Sequence, residues 1–94
     1  MPTTLWRLKV APEKQEQFER LTSQLVRDVA ENEPGNVFEY RRGVEDPLTY
    51  VLFLSFDDLD AFQRYSTADY HTGASGQIME CLAEPPIGDE LERF

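Results

Sequence analysis

Cysteine and histidine are nearly missing from this sequence, and both scarcities exclude chemistry. Cys81 is the single cysteine and His71 the single histidine among 94 residues. One thiol cannot close a disulfide within the chain, and one thiol plus one imidazole cannot build a zinc cluster. The carboxylates show no recognisable ligand spacing, so no metal site is expected. Basic residues are short too: nine Lys and Arg face eighteen Asp and Glu, a net charge of −9. Nothing gathers the nine into a patch, which disfavours nucleic acid and anionic membranes as partners; the acidic excess reads as a solubility device. No apolar run approaches the ~20 residues that a bilayer crossing needs. The start, Met1-Pro2-Thr3-Thr4-Leu5-Trp6-Arg7, lacks the basic and then apolar pattern of a secretory leader. With one free thiol, the expected compartment is the cytoplasm. A phosphate-binding glycine loop, a Ser-His-Asp set and paired catalytic carboxylates are all missing.

What is present suits one small globular domain spanning residues 1–94. Apolar residues make up 40% of the chain and charged ones 29%, outside the disordered range. A domain this short builds a thin core. Thr4 to Val10 alternates as a strand, with Trp6, Leu8 and Val10 on one face. Pro12 suits a helix start, with Glu13 and Glu16 near its positive end. Phe18, Leu21, Leu25 and Val29 then recur at spacings of three and four, and Glu33-Pro34-Gly35 stops the helix. Asn36 to Arg42 reads as a second strand and Gly43 to Leu48 as a turn. Tyr50 to Phe56 is apolar on both faces, the pattern of a strand buried on both sides. Asp57 is the expected helix N-cap, followed by an inward stripe of Leu59, Phe62 and Tyr65. Around Ser66 to Gly76 the pattern loosens, so a break or kinked entry is expected into a helix with Ile78, Met79 and Leu82 that Pro85-Pro86 ends. Ile87 to Phe94 is expected as a final edge strand.

The order β-α-β-β-α-β predicts an α+β fold: a four-stranded antiparallel sheet with its helices on one face. Helices on one side leave the other sheet face uncovered. An apolar sheet face of several hundred Å2 is rare on a soluble monomer, so a homodimer formed face to face is expected.

Several stretches carry a resemblance to a known family. These are Leu8-Lys9-Val10-Ala11-Pro12-Glu13, Glu33-Pro34-Gly35-Asn36 followed by Tyr40, Asp46-Pro47, the Tyr50–Phe56 strand, and Asp57-Asp58-Leu59-Asp60-Ala61-Phe62-Gln63-Arg64-Tyr65. In order and spacing the chain resembles the antibiotic biosynthesis monooxygenase (ABM) domains of the dimeric α/β-barrel superfamily over nearly its whole length. The resemblance implies ferredoxin-like subunits whose sheets pair into a dimeric barrel, with a pocket between sheet and helices in each. It also implies an activity drawn from a varied set. Some relatives are oxygenases acting on quinols or polycyclic phenols without metal or flavin; others are haem-degrading enzymes or isomerases of small sugar-derived molecules. Fold alone does not choose among them. The sequence departs from the family pattern at Tyr65, where many relatives carry histidine. A second family histidine falls on Tyr70, one position before His71. The axial histidine of the haem-degrading branch falls near Ala74, and its strand-one asparagine has no counterpart among Thr4 to Lys9.

The candidate catalytic residues are therefore His71, Tyr70 and Tyr65. Histidine is the side chain suited to taking a phenolic proton near neutrality. The plainer alternative for His71 is a surface or capping role. Trp6, Asn36, Tyr50 and Phe62 are candidate pocket residues; the alternatives are core or interface packing for the aromatics and turn capping for Asn36. Cys81 reads as a small buried apolar residue. The function so implied is a cofactor-independent monooxygenase of the quinol or polycyclic phenol type, or a related small-molecule enzyme of the family, with no cofactor of its own. The alternative is a non-catalytic dimer that holds a small aromatic or apolar molecule in the same pocket.

Overall fold

The computed structural model describes residues 2–94. Strand β1 (Thr3–Lys9) leads through a short 3-10 turn at Pro12–Lys14 into helix α1 (Gln15–Asn32). Strands β2 (Val37–Arg42) and β3 (Thr49–Ser55) follow, then helices α2 (Leu59–Thr67) and α3 (Asp69–Glu80), and strand β4 (Ile87–Glu90). The sheet order is β2-β3-β1-β4 and every neighbouring pair is antiparallel. This is the α+β, ferredoxin-like arrangement that the element order predicts.

Parity along the strands decides what is buried. On β3, Tyr50, Leu52 and Leu54 are buried against the helices, while Val51 and Phe53 on the opposite face are half-buried. Helix α1 turns Phe18, Thr22, Leu25 and Val29 inward. Thr22 is tolerated there because its hydroxyl donates to the carbonyl of Phe18 at 2.8 Å, one turn back. Phe18, Phe56, Val10, Val29 and Cys81 form the fully buried centre. The Cys81 thiol donates to the Gln77 carbonyl, and burial pushes its pKa up, as suits a packing residue.

The uncovered face carries Leu5, Val51 and Phe53 in register, with Val37 and Ile87 exposed near its margins. Arg7, Glu39, Arg41 and Asp89 share the same face, so apolar and charged side chains alternate across it.

Several expected boundaries move. β1 ends at Lys9, and Val10 instead makes an isolated bridge with Leu82, so Leu82 lies beyond the helix rather than on it. The N-cap of α2 is Asp58, not Asp57: its carboxylate accepts from the Ala61 amide at 2.7 Å. Ser66 to Gly76 is helical apart from one residue. Ala68, with ψ of 142°, ends α2 and starts α3 at once. Gly73 and Gly76 each cost a helix roughly 1 kcal/mol relative to alanine, but α3 packs along α1 and buries Ile78, which offsets that cost. The final strand stops at Glu90. Leu91 and Phe94 extend past it with exposed side chains, although the Leu91 amide still donates to the Thr3 carbonyl at 2.9 Å. Gly35 adopts φ of +90°, the left-handed backbone that the helix stop requires.

Candidate active site between sheet and helices

Two adjoining cavities open between the sheet and α3, and Trp6 and His71 line both. The first, of about 330 Å3, is walled by Leu8, Leu25, Tyr40, Leu52, Ser75, Ile78, Met79 and Pro86. The second, of about 380 Å3, is walled by Thr4, Leu54, Phe62, Gly88 and Glu90. Volumes of this order suit a small organic ligand. A larger hollow of about 520 Å3 lies between α1 and β2, but polar surface residues such as Ser23, Arg27, Glu39 and Arg41 line much of it. The apolar cavity beside the lone imidazole is the better site for a small apolar ligand.

His71 occupies the first turn of α3, directly after the break at Ala68, and its amide donates to the Ala68 carbonyl at 3.0 Å. Its Nδ1 lies 3.2 Å from the Ser66 carbonyl oxygen. A carbonyl oxygen only accepts, so Nδ1 carries the proton of the neutral ring and Nε2 keeps a free lone pair. The imidazole packs on Tyr65 with ring centroids 4.3 Å apart. Tyr65 in turn meets Phe38, Phe56 and Phe62, so an aromatic cluster supports the ring from behind. The break between α2 and α3 thus sets the Ser66 carbonyl against one nitrogen of the ring.

The remaining sequence-selected residues divide clearly. Trp6 and Phe62 line the cavities. Tyr65 is 5% exposed and stands behind His71, and burial raises its pKa well above the usual tyrosine range. It stays a neutral phenol and serves as a packing partner. Tyr70 points elsewhere: its hydroxyl is buried without a hydrogen-bond partner, and burial, with Glu33 and Asp28 nearby, pushes its pKa up. Asn36 spends its side chain on the fold, with Nδ2 donating to the Glu33 carbonyl at 3.0 Å and Oδ1 accepting from the Asp57 amide at 2.8 Å. Tyr50 is buried, donates its hydroxyl to Glu19 and accepts from Gln15 Nε2 at 3.0 Å. Arg42 binds the same Glu19 carboxylate at 2.9 Å, so this set ties α1 to the sheet rather than lining the cavity.

Sequence reasoning missed Leu25, Ser75, Met79 and Pro86 as wall residues. Tyr40 enters the sequence reading only through the family resemblance, and nothing there marks it as a wall of this cavity; burial keeps it a neutral phenol as well. Among the described residues no group of three or more His, Cys, Asp or Glu side chains converges to hold a metal ion. Among the described residues no helix is long and apolar enough to cross a membrane.

The chain belongs to the antibiotic biosynthesis monooxygenase family, whose model matches residues 1–76. Solved structures agree on the fold. A protein from Caulobacter crescentus CB15, provisionally assigned as an antibiotic biosynthesis monooxygenase, is 26% identical, with a TM-score of 0.89 over 99% of this chain and 89% of its own. One from Nitrosomonas europaea with the same provisional assignment is 21% identical, with a TM-score of 0.87 over 99% and 98% of the two chains. A conserved protein from Methanosarcina mazei Go1 reaches 0.89 at 17% identity, over 99% and 92%. These last two likenesses concern the fold alone. A search of curated proteins finds no match.

Proposed function

We propose that this protein is a cofactor-independent monooxygenase that binds a small planar phenol or quinol in the apolar cavity beside Trp6 and His71. The observation that carries the reading is the state of His71. A carbonyl fixes the proton on Nδ1, an aromatic cluster backs the ring, and the imidazole borders an apolar cavity. In this reading Nε2 takes the proton from the substrate, making an electron-rich anion. That anion is itself the reductant of molecular oxygen: oxygen bonds to a ring carbon that bears hydrogen, and the proton returned by His71 makes the hydroperoxide. Loss of the remaining hydrogen of that carbon with cleavage of the O–O bond then leaves a carbonyl and releases water. Leu8, Leu25, Leu52 and Ile78 exclude bulk water and hold the ring in one orientation. Tyr65 supports His71, and Tyr70 stabilises the helix pair rather than the substrate.

The same reading has the protein act as a homodimer in the cytoplasm. A second copy covers Leu5, Val51 and Phe53 on the open sheet face, while the cavity lies on the helix side and stays free. Oxygen uptake with anthrone and with a panel of quinols tests the activity. Stoichiometric oxygen consumption by the wild type, reduced about a hundredfold in His71→Ala, is the expected result. Wild-type turnover that survives His71→Ala intact removes the imidazole from the mechanism. Saturable binding of these compounds without oxygen uptake favours a carrier over an enzyme.

A further inference from the structure

Trp6 stands at the junction of the two cavities. Along β1 the first cavity reaches Leu8 and the second Thr4; along β3 the same step separates Leu52 from Leu54; at β4 it separates Pro86 from Gly88 and Glu90. Side chains two residues apart on a strand stand ~7 Å apart on the same face, so along β1 the indole stands between the two lobes, which His71 also borders from α3. Its seat is specific. Gly88 is the register partner of Trp6, and a Cβ at Gly88 would lie 2.6 Å from Cζ3 of the indole and 2.8 Å from Cε3 and Cη2. The indole lies against the β4 backbone at a residue that has no side chain to obstruct it. The lobes also differ in chemistry. Leu8, Leu25, Leu52 and Ile78 make the first apolar, whereas Glu90 and Thr4 border the second beside Leu54 and Phe62, and no Lys or Arg lines either.

We infer that Trp6, seated on Gly88, is the specificity-determining partition of this site: it confines a ring system to the apolar lobe and keeps it from Glu90. The inference rests on the proposed reading of that lobe as a ring-binding site. It means that the natural ligand is a compact phenol or quinol with no cationic arm. Substitution of one residue recruits the acidic lobe and changes the accepted class to phenols that carry an ammonium group.

Calorimetric titration with 1-naphthol and with its 5-aminomethyl derivative, which carries an ammonium at neutral pH, tests this. In the wild type naphthol binds at least as tightly as the aminomethyl compound, whose ammonium finds no partner in the apolar lobe, and Glu90→Gln changes neither. In Trp6→Ala the aminomethyl compound binds about tenfold tighter than naphthol, as a charge-assisted contact gives. That preference disappears in Trp6→Ala/Glu90→Gln. Trp6→Val serves the same comparison if the alanine variant does not melt cooperatively. A Glu90-dependent preference already present in the wild type, or none in a folded Trp6 variant, overturns the partition. Gly88→Ala displaces the indole, so the emission of the sole tryptophan shifts; unchanged emission overturns the seating. If this binding pattern holds without oxygen uptake, the oxygenase reading fails alone. If neither naphthol binds the wild type, the ring-binding reading fails and takes the partition with it.

Discussion

At the residue scale, the sharpest consequence concerns Tyr70. Its hydroxyl is buried among the helices with no partner, and an unsatisfied buried polar group costs stability. Tyr70→Phe keeps the ring and removes the orphan atom. The expected outcome is a gain of about 1 kcal/mol in unfolding free energy, read from urea midpoints. A loss would show that the hydroxyl has a partner after all. Phe18 behaves oppositely. It is 0% exposed and meets Tyr50 at 4.6 Å between ring centroids, so Phe18→Ala opens a cavity that costs about 3–5 kcal/mol in the same assay. How legible these residues are in the sequence follows from what each one does. Phe18, Leu25 and Val29 announce themselves because a helix repeats every 3.6 residues. The fate of a polar side chain such as Asn36 is set by atoms distant in the chain, here the amide of Asp57, and no local pattern encodes that.

At the element scale, strands and α1 are legible because alternation and helical spacing are strong local signals; the last strand, expected to Phe94, ends four residues early. A break between Ser66 and Gly76 is legible, but its confinement to Ala68 is not. Ala68 is neither glycine nor proline, and the small polar residues that follow it favour loops unless packing intervenes. Packing of α3 on α1 supplied that term, and with it the placement of His71 in a helical first turn. The same distinction applies to the turn before β3. Asp46 pairs with Lys9, accepts from the Thr49 hydroxyl at 2.8 Å and from the Leu48 amide at 3.1 Å. The Lys9 contact first, then Thr49 and Leu48, hold its pKa down at about 2 against an ordinary 3.8. A depressed carboxylate stabilises the fold above its unfolded pKa, and that contribution fades as pH falls through the folded value. Wild-type protein therefore loses more stability between pH 5 and pH 2 than Asp46→Asn does. Equal losses in parallel urea titrations at the two pH values would remove this turn from the acid response. Gly35 gives a third element-level outcome. With φ of +90°, Gly35→Ala strains the α1 stop and lowers stability by about 1 kcal/mol.

At the scale of the whole molecule, two surfaces of one sheet have separate fates. The helix side holds the core and the cavities; the open side carries Leu5, Val51 and Phe53 between charged neighbours, the face that the proposed dimer would cover. Phe53→Glu, which places a charge at the middle of that face, turns a sedimenting dimer into a monomer; a variant that still sediments as a dimer places the interface elsewhere. This face was legible in the double apolar pattern of Tyr50 to Phe56. The cavity was implied only by the family resemblance, and most of its walls were not legible, because they depend on which side chains leave space unfilled. Its occupancy is open to one direct measurement, since the chain has one histidine and one tryptophan. On titration with 1-naphthol, the single imidazole Cε1–H and the single indole Nε1–H signals in two-dimensional NMR spectra should shift together and saturate at one ligand per chain. Saturable binding that leaves both signals in place while other resonances move would put the ligand elsewhere and contradict the account.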